Sequence, residues 1–181
     1  MGATFGAFRT TLLFSDGTKP RLEQLAVSAS LEYRVSDKVT LVGAGGAMLM
    51  GQLGGVATTP GGVGSLALSF LLLEQGTYAP FLQFSGSVAL SAMRAIDTNY
   101  VAIDLRAGLA AGWTFFDRLT PYAVARVFGG PVFYGSATGT DAYHVQLGAG
   151  LVVGLPWGLD FSAELIPLGE QRVTAGLGVS F

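Results

Sequence analysis

The feature that most constrains this chain is an alternation of apolar with small or polar residues, repeated in segment after segment. The last ten residues show it most clearly. Five apolar residues there share one parity: Val173, Ala175, Leu177, Val179 and Phe181. The residues between them are small or polar: Thr174, Gly176, Gly178 and Ser180. Side chains of a β-strand point alternately to its two faces, so this period of two predicts a strand with one apolar face.

Composition narrows the fold class further. Half of the 181 residues are hydrophobic and 12% are charged, against about 25% charged residues in a typical soluble domain. No uninterrupted apolar run reaches the ~18 residues that a transmembrane helix needs. A hydrophobic chain with strand periodicity and no helical span favours a membrane β-barrel, and the 27 glycines suit strands that bend and turn tightly.

The alternation predicts an all-β fold, a single closed antiparallel transmembrane β-barrel that occupies residues 1–181. The pattern contains about ten strands, with eight as the alternative count. The connections after the first, third, fifth and seventh predicted strands are long and polar, including residues 94–99 after the fifth. Those after the second, fourth, sixth and eighth are short. Outer-membrane barrels have short periplasmic turns and longer outer loops, so both termini are expected on the periplasmic side.

Charged residues test this interpretation, because a charge on the lipid face costs about 2–4 kcal/mol at the bilayer midplane. In the first strand, the bulky Phe14 is therefore expected to face lipid. Where the alternation is clear, charges inside strands lie on the parity opposite the bulky apolar residues, so the strand charges are predicted to line the lumen: Arg9, Glu32, Arg34, Asp104, Arg106, Arg126 and Glu164. His144, the only histidine, is predicted to join them near the outer mouth. Two interpretations stay open: ion pairs that brace a narrow barrel, or a constriction that selects solutes by charge.

The alternating strands, the loop lengths and the terminal V-T-A-G-L-G-V-S-F resemble the small bacterial outer-membrane β-barrels. The resemblance covers the whole chain but lies in its architecture, and it points to no subfamily. It implies a bacterial outer-membrane location, contact with outer-membrane lipid, and Phe181 as a signal read by the barrel-assembly machinery. Because Met1 leads directly into a strand pattern, we expect that a signal peptide has been removed ahead of it.

Several classes of function are disfavoured by what the sequence lacks. Without cysteine it offers neither a catalytic thiol nor a disulfide. With one histidine and scattered carboxylates, we expect no metal site and no cofactor. A net charge of −2 with no basic stripe argues against a nucleic-acid partner.

Function is therefore expected to depend on the lumen. Small inward residues such as Ser85, Gly108 and Gly176 leave room in a ten-strand cylinder, since about eight strands are just filled by side chains. This favours a narrow pore or passive channel for small solutes, with no enzymatic activity. The alternatives are a non-conducting structural or adhesion-type barrel, or a subunit of an envelope assembly. A membrane-embedded hydrolase that uses His144 is less favoured.

The third predicted strand carries a further signal. Its small residues Gly43, Gly45 and Ala47 face lipid in this register. Small residues on a lipid face let another element approach closely, which suggests contact with a partner or a second copy.

Overall fold

A computed structural model describes residues 1–179, and Ser180 and Phe181 lie outside the described residues. Strands make up most of the described chain, with a short 3-10 turn at Pro156–Gly158. The strands are β1 Gly2–Phe14, β2 Arg21–Ser36, β3 Val39–Leu53, β4 Val56–Ala57, β5 Gly61–Leu73, β6 Phe81–Ala95, β7 Thr98–Gly112, β8 Leu119–Gly129, β9 Val132–Tyr134, β10 Ala137–Asp141, β11 Val145–Leu155, β12 Leu159–Leu168 and β13 Gln171–Val179. No helix in residues 1–179 is long and apolar enough to cross a membrane.

Ten of these strands close into one antiparallel barrel. Around the ring they run β1, β2, β3, β5, β6, β7, β8, β11, β12 and β13, and β13 pairs with β1 again. Three short strands, β4, β9 and β10, are added at one end. The predicted closed barrel of about ten strands is confirmed, whereas the periplasmic placement of its termini stays a prediction.

The barrel narrows toward the end that lies opposite the termini. The β12–β13 hairpin stops short of this end, and β10 takes its place by pairing with β1, where Leu12 lies opposite Asp141. On its other side β10 pairs with β9, which pairs with β7. Near Ala95, Thr58 bridges the gap between β4 and β6. We call this narrower ring of eight segments the collar, and the opposite end, with Gly2 and Val179, the terminus end.

Loop lengths do not follow the predicted alternation. The prediction of a polar loop at residues 94–99 was wrong. The strands β6 and β7 remain paired as far as Ala95 and Thr98. Only Ile96 and Asp97 remain between them, and Ile96 has a φ of 55°. The polar side chains at this hairpin belong to the strands themselves, since Arg94 Nε donates to Asn99 Oδ1 at 3.0 Å. Polarity here marks the edge of the apolar wall, so it does not identify a loop.

The outer wall is apolar and the terminus end carries exposed aromatic rings. These rings are Tyr33, Tyr78, Trp113, Phe115, Phe116 and Trp157. Aromatic side chains at one end of an apolar band are typical of a membrane–water interface. Phe14, predicted to face lipid, instead points inward and is 5% exposed, so that prediction was wrong.

Candidate functional site in the barrel lumen

A layer of four charged side chains spans the lumen just below the collar. Glu170, in the β12–β13 turn, is its centre. Its Oε2 accepts a hydrogen bond from Arg106 Nη2 at 2.9 Å, and its Oε1 accepts one from Arg172 Nη2 at 2.6 Å. Arg106 Nε also donates to Asp104 Oδ2 at 2.6 Å. Because three strands separate β7 from β13 in the ring, these contacts reach across the barrel. We call Asp104, Arg106, Glu170 and Arg172 the charge layer.

The shortness of the β12–β13 hairpin places Glu170 in the lumen. Gly169 turns the chain with a φ of 84°, and a Cβ there would lie 1.9 Å from the Val145 carbonyl oxygen. Only glycine fits at this position, because the backbone is in the left-handed region and the Val145 carbonyl leaves no space for a Cβ. The turn is therefore held against β11 below the collar, and the Glu170 side chain is 5% exposed. A carboxylate buried this deeply needs cationic partners, which Arg106 and Arg172 provide.

A second ion pair lies on one wall. Arg126 on β8 and Glu164 on β12 form two hydrogen bonds, Nη1 to Oε1 and Nη2 to Oε2, both of 2.7 Å. Tyr122 donates its hydroxyl to Glu164 Oε2 at 3.1 Å. The strand between them, β11, carries Gly150 at this level, and the missing side chain leaves room for the ring of Tyr122. A Cβ at Gly150 would lie 2.3 Å from Tyr122 Cζ. A bidentate pair of this kind fixes both side chains, so it braces the wall where β8, β11 and β12 meet.

Above the charge layer, the collar is filled by apolar side chains. We call this set the collar core, and each of its members is at most 9% exposed. Its buried residues are Leu12, Phe14, Leu22, Met48, Leu53, Met93, Ala95, Tyr100, Ala102 and Val132. Side chains just fill the interior of a ring of about eight strands. The lumen is therefore closed at the collar.

Toward the terminus end, away from the wall that bears Tyr122, Arg126 and Glu164, many inward side chains are small and only half-buried. They include Thr4, Ser28, Ser65, Ser85 and Thr174. A cavity of about 180 Å³ lies among Thr4, Ser28, Ser65 and Thr174. A second one, of about 300 Å³, adjoins the charge layer and the collar core. The lumen thus combines a roomy polar half with a filled apolar half.

Arg9 lies outside the lumen, so its predicted inward placement was wrong. It is on the outward face of β1, its side chain is 46% exposed, and its Nε lies 2.8 Å from Glu23 Oε1 on β2. The inward face of β1 instead carries Phe8, Leu12 and Phe14. The prediction assumed that bulky apolar residues always face lipid, and the collar core reverses that rule.

Three other predicted lumen residues lie apart from the charge layer. Glu32 and Arg34 follow the inward parity of β2 but are exposed at the terminus end. Neither has an ion pair within 4 Å among residues 1–179. His144 is exposed, and its Nδ1 lies 3.2 Å from the Phe128 carbonyl oxygen. Four predicted residues do lie in the two inward ion-pair groups: Asp104, Arg106, Arg126 and Glu164.

Sequence reasoning missed two members of the charge layer. Arg172 shares its parity with Thr174 and Gly176, and that parity could have placed it inward. Glu170 gave no such signal, because it stands in a turn whose burial depends on how short the hairpin is. In the part of the chain that the structure describes, no cluster of three His, Asp or Glu side chains could hold a metal ion.

Comparison with known structures supports the fold. The chain is similar to the β domain of the Bordetella autotransporter BrkA, with a TM-score of 0.53, 14% identity and 99% of each chain covered. It also matches the transport unit of the Escherichia coli autotransporter AIDA-I, with 10% identity, coverage of 99% and 90%, and a TM-score of 0.38. A triple mutant of the Rhodopseudomonas blastica porin matches with 10% identity, coverage of 98% and 99%, and a TM-score of 0.18.

The likeness to the BrkA β domain defines the class of fold and nothing finer. The chain has the fold of a bacterial outer-membrane β-barrel, and the match to the BrkA β domain supports that conclusion. No protein-family model and no curated protein sequence matches the chain.

Proposed function

We propose that this chain is an outer-membrane barrel that forms a narrow passage for small solutes, closed at the collar in the state described. The observation that carries the proposal is the roomy half of the lumen, lined by small polar side chains up to the charge layer. Small side chains in a ring of ten strands leave space that water and small solutes can occupy. Passage then requires a movement of the collar core.

The charge layer would act as the selective element of such a passage. Two arginines and two carboxylates alternate across it: Asp104, Arg106, Glu170 and Arg172. Fixed charges at a constriction discriminate between solutes by charge. Because the four formal charges cancel, we expect small neutral or zwitterionic solutes to pass more readily than ions of either sign.

A permanently closed barrel is the second candidate, and the collar core favours it. Ten buried residues close the lumen there, and well-packed interiors resist rearrangement. In that case the chain would serve as a structural or adhesion-type barrel or as part of an envelope assembly. Conductance separates the two candidates.

The test is a recording of single-channel conductance in planar bilayers with the purified full chain. Wild-type protein is expected to stay closed, with brief openings. The double variant Leu12→Ala with Phe14→Ala removes two buried collar side chains and should raise the open fraction by roughly tenfold or more, by cavity formation. The matched control, Leu13→Ala, changes an outward neighbour that is 37% exposed and should behave like wild type.

The passage proposal fails if the hollowed collar folds normally and never conducts. That result would support the permanently closed barrel. An open fraction that rises equally in Leu13→Ala would show that the effect comes from general loosening of the barrel. A normal circular-dichroism spectrum for each variant establishes that the fold is intact.

We also propose that the barrel lies in the outer membrane and that Phe181 promotes its assembly there. Phe181 lies outside the described residues, so this rests on the terminal sequence alone. Deleting Phe181 should lower the amount of folded barrel in membranes several-fold and leave the properties of the folded fraction unchanged. Normal assembly of the truncated chain would contradict it.

Two weaker proposals have direct tests. A hydrolase that uses His144 is disfavoured, because its ring contacts a backbone carbonyl and a catalytic His needs an orienting acid and a nucleophile. An activity abolished by His144→Ala would reverse that judgement.

Contact with a second copy through β3 draws support from the open space above Gly45 and Gly62. Disulfide crosslinks from Ala47→Cys at background level would end it.

A further inference from the structure

Outward side chains change from apolar to polar along one level of the barrel wall. On β2 they are apolar from Leu25 to Val35, and Glu23 and Arg21 come above them. This apolar stretch has the length of a membrane-spanning strand, about 9–11 residues. The same level continues across four neighbouring strands through direct pairing partners: Gln52, Glu23, Arg9 and Gln171. The row therefore lies at the collar-side edge of the apolar band.

Together with Arg21, the outward residue that follows Glu23 toward the collar on β2, this row carries a net charge of about +1 at neutral pH. Arg9 Nε lies 2.8 Å from Glu23 Oε1, and Arg21 Nε lies 3.5 Å from the same oxygen. Two guanidinium groups thus share one carboxylate. Their side chains are 46% and 57% exposed, so both retain free N–H donors that face outward.

An apolar groove opens on the outward surface beside Arg9 and Glu23, and Arg21 lies next to its rim through its contact with Glu23. Its volume is about 660 Å³. The floor is Ala7, whose pairing partners Leu25 on β2 and Val173 on β13 rise on either side. Met50 and Leu165 extend the two walls. A small residue between longer ones produces a channel of the width that a hydrocarbon chain fills.

We propose that this groove binds one acyl chain of a phosphate-bearing membrane lipid, with the lipid phosphate held by Arg9 and Arg21. Guanidinium groups match phosphate oxygens through paired, charge-assisted hydrogen bonds. The apolar groove and the arginines lie at the depths that an acyl chain and a headgroup occupy in a bilayer. The site uses the outer wall, so it is independent of any passage through the lumen.

The test is native mass spectrometry of the full chain, released from neutral detergent micelles in the presence of dioleoylphosphatidylglycerol. Wild-type protein should retain one lipid molecule. Dioleoylglycerol, which has the chains without the phosphate, should not be retained. Glycerol phosphate, which has the phosphate without the chains, should not displace the bound lipid.

Four variants locate the site. The double variant Arg9→Gln with Arg21→Gln should weaken retention by roughly tenfold or more, through loss of charge-assisted contacts. Ala7→Phe should weaken it by filling the groove. Glu23→Gln should strengthen it, because the carboxylate competes with the phosphate for Arg9. Arg94→Gln is the matched control, since it removes an outward arginine on β6 that donates to Asn99 and does not line this groove.

The proposal is overturned if wild-type protein retains no lipid, or if Arg94→Gln loses as much as the double variant. It is also overturned if Glu23→Gln weakens lipid retention. That result would mean that Glu23 only holds Arg9 in place and does not compete with the phosphate. A species of twice the chain mass in place of the lipid adduct would assign the groove to a second copy. Should the double variant not fold, Ala7→Phe and Glu23→Gln decide the question.

Discussion

The two halves of the lumen share one strand alternation but have opposite contents. At the collar, inward positions carry large apolar side chains such as Leu12, Phe14 and Tyr100. Toward the terminus end, inward positions carry Ser28, Ser85 and other small residues. The ring changes from ten strands to eight segments between them, because the β12–β13 hairpin stops short. The size of the ring therefore decides which side chains its interior accepts.

The largest expected effect is at the boundary between the halves. Glu170→Gln leaves Arg106 and Arg172 without their shared carboxylate and should lower the free energy of unfolding by about 3–5 kcal/mol. Glu23→Gln is the matched control, because its ion pair is exposed on the outer wall and should contribute about 0–1 kcal/mol. Urea unfolding in lipid vesicles measures both. Equal losses would mean that the charge layer does not hold the two halves together.

The next effect tests the collar alone. Leu12→Ala should lower the free energy of unfolding by about 2–5 kcal/mol, because it leaves a cavity in a filled interior. Leu13→Ala removes the same atoms from the outward face of the same strand and should cost less than half as much. The same unfolding assay applies. A larger loss at Leu13 would show that the collar core is loosely packed.

The smallest effect concerns the roomy half. Gly150→Val should cost about 1–3 kcal/mol by overpacking, since a Cβ there would meet Tyr122 at 2.3 Å. Gly45→Val should change stability by under about 0.5 kcal/mol, as surface substitutions usually do, because no atom lies within 4 Å of a Cβ there. If Gly150→Val leaves the free energy of unfolding unchanged, the wall that bears the Arg126–Glu164 pair has enough space for the larger side chain.

Period-two alternation was enough to predict the closed barrel and most of its strands. It also placed Glu164 inward, because Glu164 is opposite in parity to the apolar Phe161 and Leu165. Arg126 was placed inward as well, although it shares its parity with the apolar Val124 and Phe128. It failed for Arg9, where the inward side chains are as bulky and apolar as those facing lipid. The sequence pattern reports which residues share a face, but in the collar half both faces are apolar. The burial of Leu12 and Phe14 in the closed ring, with Leu13 exposed between them, shows which face is inside.

Glu170 illustrates a second limit of sequence reasoning. Its charge and its place in a turn suggest an exposed residue. Its burial depends on a hairpin that ends below the collar, where β10 pairs with β1 beyond the end of β13. Contacts between residues so distant in sequence leave no local pattern.

The central claim, a lumen divided into an open half and a closed half, has a direct test. The chain contains no cysteine, so a single introduced thiol reports one site without background. Ser85→Cys lies in the roomy half, and Ala102→Cys replaces a collar-core residue that is 9% exposed. A membrane-impermeant maleimide should label the Ser85→Cys protein at least ~100-fold faster, because labelling at the collar requires local opening of a buried core. Equal labelling rates in the folded barrel would contradict the claim.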